Sequence, residues 1–218
     1  MAAEFQLYGY FRSSAAFRVR IALNLKGIVP ELCFVHLLRG GGEQHTSGYK
    51  ALNPQELVPT LVHNGRAITQ SLAIIEYLDE IVPEPPLLPS DALDRARVRE
   101  IACAIACDIH PVNNLRVNQY LKRTFGADTD AQIAWQQHWI ATGFAALETM
   151  LSGSPQTGLY CHGDTPTIAD ICLVPQMANA RRVKLDLVAY PTLVRIEAEA
   201  LKNPAFAAAL PGNQPDAE

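Results

Sequence analysis

The stretch 5–37 constrains this chain most. Residues 5–10 (FQLYGY) are short, aromatic and apolar, which suits a strand. Residues 15–26 carry Phe17, Val19, Ile21, Leu23 and Leu25 and stop at Gly27, the pattern of a helix closed by a glycine cap. Residues 32–37 read as a second strand. Strand, helix and strand in that order require a parallel pair with a right-handed crossover.

The elements that follow complete a small α/β domain. Arg39-Gly40-Gly41-Gly42 has no Lys-Ser/Thr in the register of a phosphate loop, so it reads as a flexible connection. Residues 60–63 and 66–68 flank Asn64-Gly65, a strong hairpin signal. Residues 70–81 read as a helix with Ile74, Ile75 and Leu78 on one side. The order is βαβ followed by ββα. Residues 83–89 (PEPPLLP) cannot continue a helix and look like a linker.

Beyond the linker the pattern is helical. The spacing predicts one long helix over 91–121, bent near Pro111, then helices over 131–151 and 167–182, with short helices after them. Thr167 and Asp170 have the spacing of a capping box, a structural rather than a catalytic signal. Residues 211–218 are expected to be a frayed tail. The expected division is a first domain at 1–83, a linker at 84–91 and an all-helical domain at 92–218.

Composition narrows the function classes. Hydrophobic residues make up 49% and charged residues 18% of the 218, which suits a globular protein. The net charge of −4 does not favour nucleic acid as a partner, which would want a basic face. No run of about 18 uncharged apolar residues suggests a membrane helix, and the first residues do not read as a signal peptide. The five cysteines form no CxxC pair and fit a reducing compartment, so the cytoplasm is expected. Cys103, Cys107 and His110 have helical spacing that raises a metal site. No fourth ligand is evident, so they read as buried packing residues and no metal is expected.

Four blocks resemble the zeta class of cytosolic glutathione S-transferases. They are 10–23 (YFRSSAAFRVRIAL), 53–59 (NPQELVP), 70–74 (QSLAI) and 107–114 (CDIHPVNN). The resemblance implies a thioredoxin-like glutathione-binding domain followed by an all-α substrate-binding domain. It also implies glutathione as cofactor, a homodimer, and cis–trans isomerisation of a maleyl keto diacid such as maleylacetoacetate or maleylpyruvate.

The implied site follows motif by motif. Ser13 and Ser14 open the first helix, where unpaired N–H groups and the helix dipole favour a thiolate. Ser13 also fits a plain N-cap, and both roles are compatible. Val58, before a proline that this fold keeps cis, offers backbone groups to the cysteinyl portion. Gln70 and Ser71, at a helix start, suit the γ-glutamyl carboxylate, with an N-cap as the other role for Ser71. Gln55 suits the glycyl end, and His45 is a weaker candidate there. Asp108, His110 and Asn114 belong to the cofactor set through the fourth block. Asp108 and His110 are two apart, so on a straight helix they do not share a face.

Two carboxylates on the substrate need clamping, which arginine does with paired hydrogen bonds. Arg12, Arg116 and Arg181 are the candidates, and Arg181 is preferred to Arg182. Catalysis is assigned to Ser13, Ser14 and Arg12. One departure stands out: Ala15 occupies a position where many zeta enzymes have cysteine. The reacting thiol must then come from glutathione. Two other functions fit the same scaffold, namely a general transferase or dehalogenase of small α-halo acids and a non-catalytic interaction module.

Overall fold

A computed structural model describes residues 4–218. Two compact units are present, one of residues 1–87 with 202–218 and one of residues 88–201.

The first unit is built on one mixed sheet. Its strands are β1 (Phe5–Gly9), β2 (Glu31–Phe34), β3 (Thr60–His63) and β4 (Arg66–Thr69), in the order β2-β1-β3-β4. β1 runs parallel to β2, with Leu7 opposite Leu32, and antiparallel to β3. β3 and β4 form the hairpin that Asn64-Gly65 signals, with both turn residues at positive φ. The crossover helix is α1 (Ser14–Leu25). It stops because Gly27 takes a φ of 65°. Gly27 N–H then donates to Asn24 C=O and Ile28 N–H to Leu23 C=O, which closes the exposed carbonyls.

α1 is buried on nearly all sides, with Ala16, Phe17, Val19, Ile21, Ala22 and Leu23 at 1% exposure or less. It packs against α3 (Ser71–Ile81). A short helix, α2 (Ser47–Leu52), has no counterpart in the sequence reading; Thr46 caps it by accepting from Tyr49 N–H. Residues 84–87 are fixed to this unit. Lys26 Nζ donates to Asp79 and to Pro85 C=O, and Asp79 accepts Leu87 N–H at 2.9 Å.

The second unit holds α4 (Ala92–Cys103), α5 (His110–Val112), α6 (Leu115–Phe125), α7 (Thr129–Ser152), α8 (Ile168–Arg182) and α9 (Pro191–Ala200). α8 packs on α4 and α9. The capping box at its start is formed. Asp170 accepts Thr167 N–H and hydroxyl at 2.8 and 3.0 Å, and Cys161 N–H at 2.7 Å.

The long helix expected over 91–121 is interrupted. Residues Ala104–Ile109 form a π-turn in which His110 N–H reaches Ile105 C=O. Pro111 has no N–H and its ring crowds the preceding turn, so the backbone widens there. The helix then ends, because Asn113 Nδ2 donates to Ile109 C=O and Asn114 Oδ1 caps a new helix at Arg116 N–H. Cys103 and Cys107 are exposed on this segment and are not the buried packing residues expected.

Residues 211–218, expected to fray, are held by hydrogen bonds: Asn213 Nδ2 donates to Ala207 C=O, Gln214 Nε2 to Leu210 C=O, and Asp216 accepts Phe11 N–H. The residues just before them are docked as well. α10 (Pro204–Ala208) packs on α1, with Phe206 at 0% exposure. Asn24 Nδ2 donates to Ala205 C=O at 2.9 Å, and Arg20 donates to Ala209 C=O through Nε and Nη2. These bonds, invisible to local sequence pattern, tie 202–218 to the first unit rather than to the helical one.

Candidate active site

The first unit gathers most of the candidate residues, beginning at the end of β1. Ser13 N–H donates to Tyr10 C=O at 3.0 Å, which makes a turn of 10–13. Ser13 is extended (φ −71°, ψ 117°), and its Oγ accepts Ala16 N–H at 3.2 Å. The N-cap role is therefore real. A hydroxyl that accepts one bond keeps its own proton to donate, so the cap does not exclude a role toward an anion. Ser14 is the first helical residue and is buried at 6%. Ala15 is next and supplies no thiol.

Arg12 is exposed at the apex of this turn. Burial holds the Tyr10 phenol above its usual range; the Arg12 guanidinium beside it opposes this, while Glu218 and Asp216 reinforce it. Tyr10, Phe11, Val35, Tyr49 and Val58 form one apolar cluster, so the turn and Val58 share a rigid floor.

Val58–Pro59 is cis. A buried network holds both sides of it. Tyr49 Oη and Asn53 Nδ2 each donate to Leu57 C=O at 2.7 Å, and both reach Thr60 Oγ1, at 3.0 and 3.3 Å. Asn53 and Thr60 are 1% and 0% exposed. The Val58 backbone is thus presented on a fixed edge.

Gln70 has φ 70° and ψ 115°, a conformation rare for a non-glycine residue. Such backbone outliers cluster at functional sites. Gln70 caps α3 by position but without a side-chain bond, because its Nε2 donates to Gln55 Oε1 at 2.8 Å. Ser71 is the first helical residue and not the N-cap. Its hydroxyl accepts from Arg18 Nη1 at 3.3 Å.

The sequence reading missed Lys50 and Glu56 on this rim. Glu56 has a φ of 57°. Its carboxylate pairs with His45 Nδ1 and with Lys50 Nζ at 3.2 Å. The hydrogen bond from His45 holds the Glu56 carboxyl below its usual value, and Lys50 adds to this. The signal available was Lys50 one turn before the Pro54-Gln55-Glu56 turn.

In the second unit, Asp108 is exposed on the π-turn and His110 is partly buried at the start of α5. Asn114 spends its side-chain oxygen on capping α6, and Arg116 is the exposed second residue of that helix. Arg181 is paired with Glu197: its Nε lies 3.2 Å from each carboxylate oxygen and its Nη2 contacts Oε2. That hydrogen bonding holds the guanidinium above its usual value. Arg182 Nη2 donates to Gln136 Oε1 at 3.0 Å. Among the described residues no group of three or more His, Cys, Asp or Glu is arranged for a metal ion.

Residues 7–86 match the model of the glutathione S-transferase N-terminal domain, and residues 131–208 match that of the C-terminal domain. The probable maleylacetoacetate isomerase of Vibrio cholerae is 51% identical over 211 residues, 97% of each chain. A holo structure of maleylpyruvate isomerase, described as a bacterial zeta-class glutathione S-transferase, aligns with a TM-score of 0.95. It is 48% identical, over 98% of this chain and 100% of that one. Maleylacetoacetate isomerase of Methylobacterium extorquens AM1, solved with malonate and glutathione, aligns with a TM-score of 0.94 at 42% identity, over 98% and 99% of the two chains. With both domain models and close full-length relatives in agreement, the chain belongs to the zeta-class glutathione S-transferase family.

Proposed function

We propose that this chain is a glutathione-dependent enzyme that converts the cis double bond of a maleyl keto diacid to trans. The observation that carries this reading is the 51% identity, across 97% of both chains, with the Vibrio cholerae isomerase. The Methylobacterium relative, solved with bound malonate and glutathione, supports the same substrate class.

The residues present fit the cofactor. Glutathione carries a thiol, a peptide backbone and two carboxylates. The first-turn amides of α1 and the Ser13 hydroxyl favour an ionised sulfur. The Val58 backbone offers strand-like pairing to the cysteinyl portion. Gln70, in its strained conformation, and the Ser71 amide suit the γ-glutamyl carboxylate. Gln55, with His45 and Lys50 nearby, suits the glycyl end. Bound glutathione supplies a thiolate that adds reversibly to the alkene, leaves a single bond free to rotate, and departs unchanged.

The chain's own work is then electrostatic and positional. Arg12, beside the sulfur position, can clamp a substrate carboxylate and stabilise charge that develops on its oxygens. Arg116 and Arg181 are assigned to the diacid as further cations, and Asp108, His110 and Asn114 to the cofactor. Ala15 supplies no thiol at this helix start, so the reacting sulfur is that of glutathione. The same reading makes the protein a cytoplasmic homodimer.

Purified protein with glutathione should convert maleylacetoacetate or maleylpyruvate to the fumaryl product without consuming glutathione. Inertness toward both diacids, with a haloacid consumed instead, sinks the isomerase reading. Arg12→Ala should lower turnover by about a hundredfold while glutathione retention is nearly unchanged.

A further inference from the structure

We infer that Asp216 is a positioning residue for the turn that carries Arg12 and Ser13. The inference rests on the functional reading above, in that this turn is taken to serve the sulfur and the diacid.

The turn 10–13 is held by two side chains, Asp216 from the far end of the chain and Arg20 from α1. Phe11 N–H donates to Asp216 Oδ2 at 2.9 Å, across 205 residues of chain. Phe11 C=O accepts from Arg20 Nη2 at 3.0 Å. The two peptide groups that flank Phe11 are thus fixed from opposite sides, and Arg12 and Ser13 follow directly. Phe11 is 8% exposed, so its N–H has little access to bulk water in place of Asp216.

The two holders depend on each other. Arg20 is 8% exposed and also donates to Ala209 C=O. Burial pulls its guanidinium down to about 10, and the Asp216 charge opposes that shift. Asp216 is therefore both the acceptor for Phe11 and a counter-charge for the cation holding the next carbonyl.

The segment that bears Asp216 is itself secured. Asn213 Nδ2 donates to Ala207 C=O at 2.8 Å, and Gln214 Nε2 donates to Ala208 and Leu210 C=O at 2.9 and 3.0 Å. Glu218 pairs with Arg39 at 2.7 Å and with His36 at 3.2 Å. These contacts limit where the Asp216 carboxylate can sit. A shift of the turn by a fraction of an ångström moves Arg12 and the Ser13 hydroxyl together, and misplacement on that scale is enough to slow a reaction.

The test uses the full chain. Asp216→Ala should lower kcat about tenfold while the glutathione KM stays within about twofold, because Val58, Gln70 and Ser71 are untouched. Asp216→Asn keeps an oxygen for Phe11 N–H but not the counter-charge to Arg20, and should recover part of the kcat. A second readout needs no diacid: ultraviolet absorbance of the bound glutathione thiolate against pH. Ionisation should require a higher pH in Asp216→Ala than in the parent and return toward the parent in Asp216→Asn. This titration judges the inference even if the parent isomerises neither diacid, which would sink the functional reading alone. Where the alanine chain does not fold, Asp216→Glu displaces the acceptor by one methylene and should shift the titration in the same direction. Parental titration in a folded Asp216→Ala or Asp216→Glu chain, or an alanine effect confined to the thermal midpoint, overturns the inference.

Discussion

Arg18 Nη1 and the Ser71 hydroxyl lie 3.3 Å apart within the first unit, at 1% and 7% exposure for the two residues. Arg18 sits one turn below Ser14 on α1, and Ser71 opens α3. One buried side chain thus ties together the two helix starts assigned to the sulfur and to the γ-glutamyl end. Arg18→Ala removes that tie and a large buried volume, so it should cost about 3 kcal/mol. It should also raise the glutathione KM. Arg18→Lys keeps the charge but not the planar fork, so it should recover only part of the loss. Denaturant unfolding and glutathione titration of both variants check this. A stable Arg18→Ala chain with parental glutathione affinity would show that the two helix starts are placed independently.

Asn53 supports the cis turn from beneath by donating to Leu57 C=O and Thr60 Oγ1. Asn53→Ala deletes these bonds, and the one its Oδ1 accepts from Gln55 N–H, at a 1% exposed position and should cost about 1–3 kcal/mol. The Val58 backbone would then lose its fixed edge. In the proposed function that edge serves the cysteinyl portion in ground state and transition state alike. The expected signature is a raised glutathione KM with kcat little changed. Steady-state kinetics with glutathione varied will show it; a fall in kcat at saturating glutathione contradicts it.

Much of this was legible in the sequence, for physical reasons. The βαβ order, the Asn64-Gly65 hairpin and the Gly27 stop are local signals, and local signals survive in any context. Ser13 as cap and the Thr167–Asp170 box are short-range hydrogen bonds written in spacing. What stayed hidden was non-local or required an exact backbone. The tail looked frayed because Asp216 finds Phe11 only after the fold forms. The positive φ values of Glu56 and Gln70 have no sequence marker, since neither residue is glycine or asparagine. Pro111 announced a bend. That its effect would be a π-turn followed by a fresh helix at Asn114 depended on how the backbone re-satisfied its carbonyls.

Glu56 gives a pH prediction. Its carboxyl is held below the usual value, first by the His45 hydrogen bond and then by Lys50. A carboxylate depressed in the folded state adds stability above its unfolded pKa. That contribution is lost as the pH falls through the folded value. Glu56→Gln should therefore be less stable than the parent at neutral pH, and the gap should close on acidification below the ordinary glutamate range. The pair is solvent-accessible, so the gap should also shrink in high salt. Unfolding midpoints across pH for both chains decide it, and a gap that widens in acid reverses the sign of the argument.

Arg181 and Arg182 are adjacent but are tied to different partners. Arg181 has a side chain 53% exposed and pairs with Glu197, whose side chain is 6% exposed. Arg182 donates to Gln136. Removing Arg181 leaves a nearly buried carboxylate without its counter-charge, so Arg181→Ala should cost about 2 kcal/mol after allowance for solvent. Arg182→Ala removes the charge-assisted hydrogen bond to Gln136 and should cost about 1–2 kcal/mol. Function separates the two further. If Arg181 also holds a diacid carboxylate, Arg181→Ala raises the diacid KM while Arg182→Ala does not. Glu197→Ala then becomes informative, because it releases the Arg181 guanidinium from its internal partner. The diacid KM of Glu197→Ala should be equal to or lower than that of the parent, despite the loss of stability. A raised diacid KM in Glu197→Ala would mean that the pair positions Arg181 rather than competing for it, and an unchanged KM in Arg181→Ala would leave Arg12 and Arg116 as the clamps.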